Sequence, residues 1–235
     1  MTLDEYERQA APVLCNEIAA GKLPREVGKY RSIEQTMMFL KNPALWFAMF
    51  SEFNDPFEGK FCLTDDARVP KKQIQRLCDG ITKHLDSYGV LCLTYNLNNI
   101  LMWAHYADKH RGAILVFDMT QDPVLFAAPF EVTYTFNYPA YTLIEHKQAL
   151  RCMATKFMRW QHENEIRVLK PNCHGLRTVK KEALKKIIFG CKASGEDIAR
   201  VIEEMKVQGG YEHVLLQKAV MSKQTYELEY VDVER

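Results

Sequence analysis

The chain has 235 residues and an apolar content of 47%, enough for one large domain with a sizeable core, and no linker divides it. Its 31 basic and 30 acidic side chains give a net charge of +1, which argues against a protein that grips nucleic acid mainly through phosphates. Seven scattered cysteines without a CxxC pair favour a reducing compartment, and no apolar run approaches the roughly 18 residues of a membrane span, so we expect a cytoplasmic protein.

Helices and strands alternate irregularly along the first part of the chain. Residues 2–20 carry an apolar stripe typical of an amphipathic helix, which we interpret as an N-terminal helical arm over residues 1–27. Ser32 and Gln35 form a capping-box pattern that predicts a second helix, to about residue 40. The other elements expected here are strands at 28–31, 44–49, 61–63 and 90–94, a loop at 53–59 and a helix at 70–86.

The middle and the end of the chain continue this mixture. A helix over 100–109, capped by Asn98 or Asn99 and ended by Gly112, precedes a buried strand over 113–117. The later expected elements are a turn or helix at 121–127, strands at 131–134, 166–169, 185–189, 213–217 and 225–231, and helices at 142–159 and 195–206. This pattern predicts an α+β fold, a single domain over residues 28–235 with a mixed, mainly antiparallel sheet of short strands and flanking helices.

The first cluster of candidate site residues lies where a strand is expected to meet a helix. Lys29, Tyr30 and Arg31 precede the cap residue Ser32, and a guanidinium beside free helix amides favours an anion such as phosphate. A surface arginine beside a structural cap is an equally good interpretation.

The second cluster is the loop that contains Asn54, Asp55 and Glu58. Two carboxylates three residues apart could act as acid and base or bind a divalent cation. A turn in which Asp55 caps its own backbone is the preferred interpretation from the local sequence.

The third cluster lies on the expected 100–109 helix. His105 would lie beside Asp108, because residues three apart share a helix face, and a histidine oriented by a carboxylate is typical of a general base. Trp103 and Tyr106 are candidate pocket aromatics. The alternative is an aromatic stripe that only packs in the core.

The fourth cluster stands at the start of the 166–169 strand. Alternation puts Glu163, Glu165 and Arg167 on one side, where three charges need a partner or a ligand, although a solvated edge strand would also explain them. The common nucleotide, zinc and serine-hydrolase signatures are absent, and we expect no metal.

The order of these clusters resembles the bacterial domain-of-unknown-function family 2971. The motifs that carry the resemblance are KYRS, NDPFE, MWAHYAD followed by G and FD, and ENEIR, and the similarity runs from about residue 28 to about residue 206. Ala48 replaces the serine that is usual in this family's LWFS motif. The family name itself implies no activity.

The layout of the chain is also similar, more weakly, to the ADP-ribosyltransferase superfamily. An early strand with Arg31, a middle aromatic region and a late Glu163-x-Glu165 follow that order. The similarity implies that Arg31 holds the pyrophosphate of NAD, that aromatics stack on nicotinamide, that Glu165 stabilises an oxocarbenium-like transition state and that Glu163 orients the acceptor. The Ser-Thr-Ser strand of one branch is missing, and Tyr30 or Arg31 replaces the histidine of the other.

We therefore expect an NAD-consuming enzyme, ADP-ribosyltransferase-like or an NAD glycohydrolase, in the role of a toxin or phage-defence effector. The alternatives are a non-catalytic ligand-sensing or protein-interaction module and a metal-dependent hydrolase built on Asp55, Glu58, His105 and Asp108. The expected ligand is a small nucleotide, and the sequence names no protein partner. The candidate catalytic residues are Glu165, Glu163 and His105, and the candidate ligand-binding residues are Tyr30, Arg31, Asn54, Asp55, Trp103 and Tyr106.

Overall fold

The computed structural model describes residues 2–63, 70–141 and 150–235. The helices in these ranges are α1 (Leu3–Ala19), α2 (Ile33–Lys41), α3 (Lys71–Leu85), α4 (Ile100–Tyr106), α5 (Leu150–Met153) and α6 (Gly195–Gln208). The strands are β1 (Glu26–Arg31), β2 (Ala44–Phe47), β3 (Cys62–Leu63), β4 (Tyr88–Thr94), β5 (Ala113–Asp118), β6 (Pro129–Glu131), β7 (Thr133–Thr135), β8 (Ala140–Tyr141), β9 (Thr155–Phe157), β10 (Glu165–Pro171), β11 (Gly175–Thr178), β12 (Leu184–Phe189), β13 (Leu215–Met221) and β14 (Leu228–Asp232). A 3-10 turn at Met158–Glu163, called the 158–163 turn below, precedes β10.

An eight-stranded sheet in the order β14-β13-β12-β5-β1-β4-β10-β6 forms the centre of the fold. Neighbouring strands are antiparallel except β12 and β13, which are parallel and are connected through α6. Smaller pairs join β2 with β11, β3 with β8, and β7 with β9. The predicted α+β fold with a mixed, mainly antiparallel sheet is therefore confirmed.

Both faces of the sheet are covered, which explains why β5 is apolar apart from its last residue. In β5, Leu115 and Phe117 belong to the main core, in which Leu14 of α1 and residues of α2 and α6 also pack. Ile114 and Val116 belong to a second cluster on the opposite face, under Trp103 of α4. The alternation follows from the two-residue period of a strand.

Buried contacts attach helix α1 to the central sheet and its core. Leu14 is buried in the main core, and Glu7 forms an ion pair with Lys170 of β10. Strand β1 begins at Glu26, so the expected boundary between the arm and the domain, after residue 27, falls inside this strand. In the described ranges, no helix is both long and apolar enough to cross a membrane.

The predicted helix over 100–109 is too long by three residues. Helix α4 ends at Tyr106 because Asp108, Lys109 and His110 adopt left-handed conformations with φ of 43°, 55° and 71°. Asp108 therefore pairs with Arg111, at 3.0 Å, and not with His105. Gly112 has a different role from the one expected, since a Cβ there would lie 2.0 Å from the carbonyl oxygen of Arg31.

The predicted helix over 142–159 is wrong in its second half. Residues 142–149 lie outside the described residues, and the chain is helical only at Leu150–Met153 before it forms β9 and the 158–163 turn. Pairing of β9 with β7 overrides the helical pattern and brings Lys156 into the site described below. The expected strand at 131–134 is split at Val132 into β6 and β7, and β11 was not predicted.

Candidate functional site

The sheet opens between two neighbouring strands, β1 and β4. They pair at one position, Gly28 with Thr94. Beyond it the strands diverge, and the carbonyl oxygen of Cys92 accepts a hydrogen bond from the Nζ atom of Lys29, at 2.6 Å, instead of from a backbone amide. Side chains line the gap where a continuous sheet would have ladder hydrogen bonds.

A cavity of about 460 Å³ lies in this gap. Three segments that are far apart in the chain meet around it: the loop with Asn54 and Glu58, helix α4 with His105 and Tyr106, and the start of β10 with Glu163 and Glu165. The rest of the lining comes from β1, β4 and their surroundings: Gly28, Lys29, Tyr30, Arg31, Gln35, Glu52, Phe53, Cys92, Leu93, Thr94, Met102 and Lys156.

Arg167 forms the base of an ion network on one wall of this cavity. Its side chain is 0% exposed and binds both oxygens of Glu165, with Nε and Nη2 at 2.9 and 3.0 Å. The Nη2 atom also donates to Glu58 at 2.8 Å, and Nη1 donates to the carbonyl oxygen of Met153 at 2.7 Å. Four of the five N–H donors of this guanidinium are therefore used inside the protein, and its side chain has no exposed surface.

Lys156 links the same carboxylates on the cavity side. Its Nζ atom lies 2.5 Å from Glu163, 3.1 Å from Glu58 and 3.2 Å from Glu165. The contacts with Glu163 and Glu165 are hydrogen bonds and the contact with Glu58 is an ion pair, so three carboxylates surround this ammonium. Burial opposes the charge on Lys156, yet the surrounding carboxylates raise its pKa above the usual value.

The two glutamates of the ENE motif enter the cavity because of the residue between them. Asn164 has φ 42° and ψ 53°, a left-handed conformation that asparagine tolerates better than most residues. Thr94 donates from Oγ1 to the carbonyl oxygen of Glu163 at 2.6 Å, which fixes this bend to the end of β4. Tyr106 donates to the second oxygen of the Glu163 carboxylate at 2.7 Å, so α4 and the bend are joined.

The pKa values of the site residues show that Glu165 keeps its charge at neutral pH, whereas Lys29 changes its charge near pH 8. Burial alone would raise the pKa of Glu165, but Arg167 and Lys156 outweigh it and lower this pKa to about 2. Burial and the bond to Glu163 raise the pKa of Tyr106 above its usual value. Burial and the nearby Arg31 lower the pKa of Lys29 to about 8.

Arg31 and His105 line the cavity without polar partners among the described residues. Arg31 is half-buried, and its burial lowers the pKa of the guanidinium. His105 is exposed at the rim, and no carboxylate holds it in one tautomer, so the geometry expected of a general base is missing. Tyr30 is buried, and its hydroxyl donates towards the carbonyl oxygens of Asn96 and Leu97, at 3.3 and 3.2 Å.

Two residues expected to bind a ligand lie outside the cavity. Trp103 is 0% exposed because it packs in the core under the site, edge-on to Tyr30 with ring centroids 5.2 Å apart. Asp55 accepts a hydrogen bond from the indole nitrogen of Trp160 at 2.9 Å and one from the amide of Phe57 at 2.9 Å. It therefore caps the loop and ties it to the 158–163 turn.

Sequence reasoning placed Lys29 in the first cluster without a role of its own, and it assigned no role to Lys156. Lys156 carries no local signal, because its position depends on the pairing of β9 with β7. The alternation of Glu163, Glu165 and Arg167 was the available clue to the network, since three charges on an apolar strand require partners.

The three carboxylates of the metal-hydrolase hypothesis bind different partners. Asp55 bonds with Trp160, Glu58 with Arg167 and Lys156, and Asp108 with Arg111. Within the described ranges, no group of three or more histidine, cysteine, aspartate or glutamate side chains has the geometry to hold a metal ion.

No protein-family model, curated protein or solved structure matches this chain. The resemblance to domain-of-unknown-function family 2971 and the similarity of layout to the ADP-ribosyltransferases therefore stay predictions. We therefore infer the function from the residues and charges of the cavity.

Proposed function

We propose that the protein consumes NAD by cleaving the bond between nicotinamide and ribose, as an NAD glycohydrolase or an ADP-ribosyltransferase-like enzyme. The observation that carries the proposal is that Arg31, from the first strand, Glu163, from the turn before the tenth strand, and Glu165, the first residue of that strand, line one cavity. They do so because β1, β4 and β10 are consecutive in the sheet. This meeting of residues far apart in the chain supports the proposal.

The charges of the cavity suit a ligand that has an anionic part and a hydroxyl-rich part. Lys29 and Arg31 on β1 offer cationic donors, whereas Glu58, Glu163 and Glu165 offer acceptors across the gap. A dinucleotide has phosphates for the first set and ribose hydroxyls for the second. A purely anionic ligand would use only the first set, and a purely apolar ligand would use neither.

The ionisation of Glu165 restricts the reaction. Hydrolysis of an ordinary O-glycoside needs a general acid to protonate the leaving oxygen, usually a carboxyl whose pKa is raised. The pKa of Glu165 is about 2, so this group stays ionised at neutral pH. In NAD the nicotinamide nitrogen already carries a positive charge and leaves as a neutral molecule, so an ionised carboxylate near the developing oxocarbenium ion is sufficient.

The two glutamates differ in spare acceptor capacity. A carboxylate has about four acceptor sites. Glu165 already accepts two bonds from Arg167 and one from Lys156, whereas Glu163 accepts one from Tyr106 and one from Lys156. We assign Glu163 to the incoming water or acceptor hydroxyl: its oxygen bonds to ribose C1′ as the bond between C1′ and nicotinamide breaks, the electron pair stays on the nicotinamide nitrogen, and the proton passes through the Glu163 carboxylate to solvent. We assign Glu165 to electrostatic stabilisation of the ribose.

The test is nicotinamide release from NAD by the purified protein, repeated with cell lysate to supply an acceptor or activator. Glu163→Gln and Glu165→Gln keep the shape of each side chain, and Glu203→Gln on the exposed side of α6 is the matched control. We expect release by the natural chain and the control, and at least a hundredfold loss in each cavity variant that melts like a folded protein. Absence of release from the folded natural chain under both conditions would overturn the proposal.

A second candidate function is a non-catalytic sensor of the same class of ligand. The observation in its favour is that both oxygens of Glu165 are held in buried ion pairs, as in a structural network. A sensor would bind NAD and leave it intact. Equilibrium binding followed by chromatography of the recovered ligand separates the two functions.

A further inference from the structure

Lysine and arginine donors in the cavity fall into two groups. Lys156 is paired with Glu58, Glu163 and Glu165, and Arg167, whose side chain is 0% exposed, is paired with Glu58 and Glu165. Lys29 uses one donor, on the carbonyl oxygen of Cys92, and Arg31 uses none within the described residues. Among the described residues that line the cavity, Lys29 and Arg31 are therefore the cations that form no ion pair with a carboxylate.

These two side chains are arranged as a pair. They are two residues apart in β1, so they share a face of the strand with their Cα atoms roughly 7 Å apart. Such a spacing lets each cation take one phosphate of a linked pair, the planar guanidinium by a two-pronged contact and the ammonium as a point charge. A single phosphate would use only one of them fully.

We infer that Lys29 and Arg31 form a diphosphate subsite, in which the ammonium of Lys29 binds the second phosphate group of a nucleoside-diphosphate-type ligand. The inference rests on the proposed function for the choice of cavity and deepens it by naming the ligand class and the second cationic residue. In the free protein the Lys29 ammonium stays at the divergence of β1 and β4, bound to Cys92. The ligand adds phosphate oxygens to its two unused donors.

Ligand binding at this subsite is accompanied by uptake of a proton at high pH. The groups that surround Lys29 are Tyr30 and Arg31 on β1, Cys92 on β4, Glu163 in the 158–163 turn and Glu165 on β10, with Glu52, Glu58, His105, Tyr106 and Lys156 farther around the cavity. Burial raises the pKa of Cys92 and of Tyr30, and burial with the bond to Glu163 raises that of Tyr106, so these neighbours keep their protons up to high pH. Lys29, whose pKa is about 8, loses its charge as the pH rises through that value, and a bound anion restores it.

The experiment is calorimetric binding of ADP-ribose to the full chain at pH 7, 8 and 9, in pairs of buffers that differ in ionisation heat. ADP-ribose has the diphosphate but no nicotinamide bond to cleave, and adenosine serves as the ligand without phosphate. The variants are Lys29→Met, Lys29→Arg with a permanent charge, and Lys223→Met as a control at an exposed lysine between β13 and β14. A melting curve for each variant verifies folding.

We expect ADP-ribose, but not adenosine, to bind the natural chain and to take up about half a proton at pH 8 and about nine-tenths at pH 9. Lys29→Met should weaken binding by about tenfold to a hundredfold at pH 7 and abolish the proton uptake. Lys29→Arg should bind ADP-ribose without proton uptake, and Lys223→Met should behave like the natural chain.

Three results would overturn the subsite: no binding of ADP-ribose, equal affinity for adenosine, or a folded Lys29→Met variant whose affinity is within twofold of the natural one. These outcomes are independent of catalysis. ADP-ribose binding that depends on Lys29, without nicotinamide release from NAD, would keep the subsite and reject the proposed enzyme. Nicotinamide release with an unchanged Lys29→Met affinity would do the reverse.

Discussion

Replacement of Arg167 by methionine is the sharpest test of the ion network. The substitution keeps much of the side-chain volume but leaves the buried carboxylates of Glu58 and Glu165, and the carbonyl of Met153, without their shared donor. Removing one partner of a buried ion pair typically costs about 3–5 kcal/mol. Lys156 remains in contact with both carboxylates, so we expect the lower end, about 3 kcal/mol, or a fall in Tm of about 6–12 °C for a chain of this size.

The pKa of Glu165 gives an independent estimate and a pH dependence. A pKa lowered from 4.5 to about 2 corresponds to about 3 kcal/mol of stability, which is present above about pH 4.5 and is lost as the pH falls towards 2. Without Arg167 the pKa of this carboxyl rises and most of that contribution disappears. The stability difference between the natural chain and Arg167→Met should therefore be largest at pH 7 and shrink towards pH 3.

Urea unfolding at pH 7, 5 and 3 measures both quantities. Arg200→Met is the matched control, because Arg200 is an exposed arginine that pairs with Asp197 at 3.1 Å on α6, and pairs of this kind contribute about 0–1 kcal/mol. A loss below about 1 kcal/mol at pH 7 for Arg167→Met, or a loss that is the same at all three pH values, would refute the reasoning.

Two further predictions concern the elements that hold the site. Asn99 caps α4 by accepting hydrogen bonds from the amides of Leu101 and Met102, and it donates one to the carbonyl oxygen of His162 at 2.7 Å. Asn99→Ala should therefore lower the free energy of unfolding in urea by about 1–2 kcal/mol, and the control Asn98→Ala should lower it far less. Equal effects of the two substitutions would contradict the assigned cap. A Cβ on Gly112 would lie 2.0 Å from the carbonyl oxygen of Arg31. Gly112→Ala should therefore destabilise the protein by about 1–3 kcal/mol and weaken ADP-ribose binding. The control Gly195→Ala, with nothing within 4 Å of the new methyl group, should change neither stability nor binding.

Local sequence patterns predicted the parts of the fold that depend on neighbouring residues. The capping box at Ser32 and the apolar periodicity of α6 gave helices that begin where expected, and the apolar run after Gly112 gave β5. The left-handed turn that ends α4 was missed because aspartate, lysine and histidine adopt this conformation much less often than glycine does.

The site required contacts between distant residues. The NDPFE loop, α4 and the ENE segment were singled out by their motifs, and the fold brings all three to one cavity. The position of Lys156 was not predictable, because it depends on a parallel pair between β7 and β9 with no local signature. The burial of Trp103 was not predictable either, because the spacing of aromatic residues on a short helix does not distinguish the face that packs in the core from the face that lines a pocket.

The gap between β1 and β4 is costly to the fold, and that cost bears on function. A continuous ladder would satisfy the facing backbone groups and bury the strands, whereas here the carbonyl of Cys92 depends on a partly desolvated lysine. On the other edge of β1 the pairing with β5 is continuous from Glu26 to Arg31, so the strand itself is able to form a regular ladder. Strand β1 thus has a regular ladder on the side of β5, whereas on the side of β4 the ladder is replaced by a gap lined by Lys29, Arg31 and three glutamates. Local departures of this kind from a regular, well-satisfied structure are expected at functional sites.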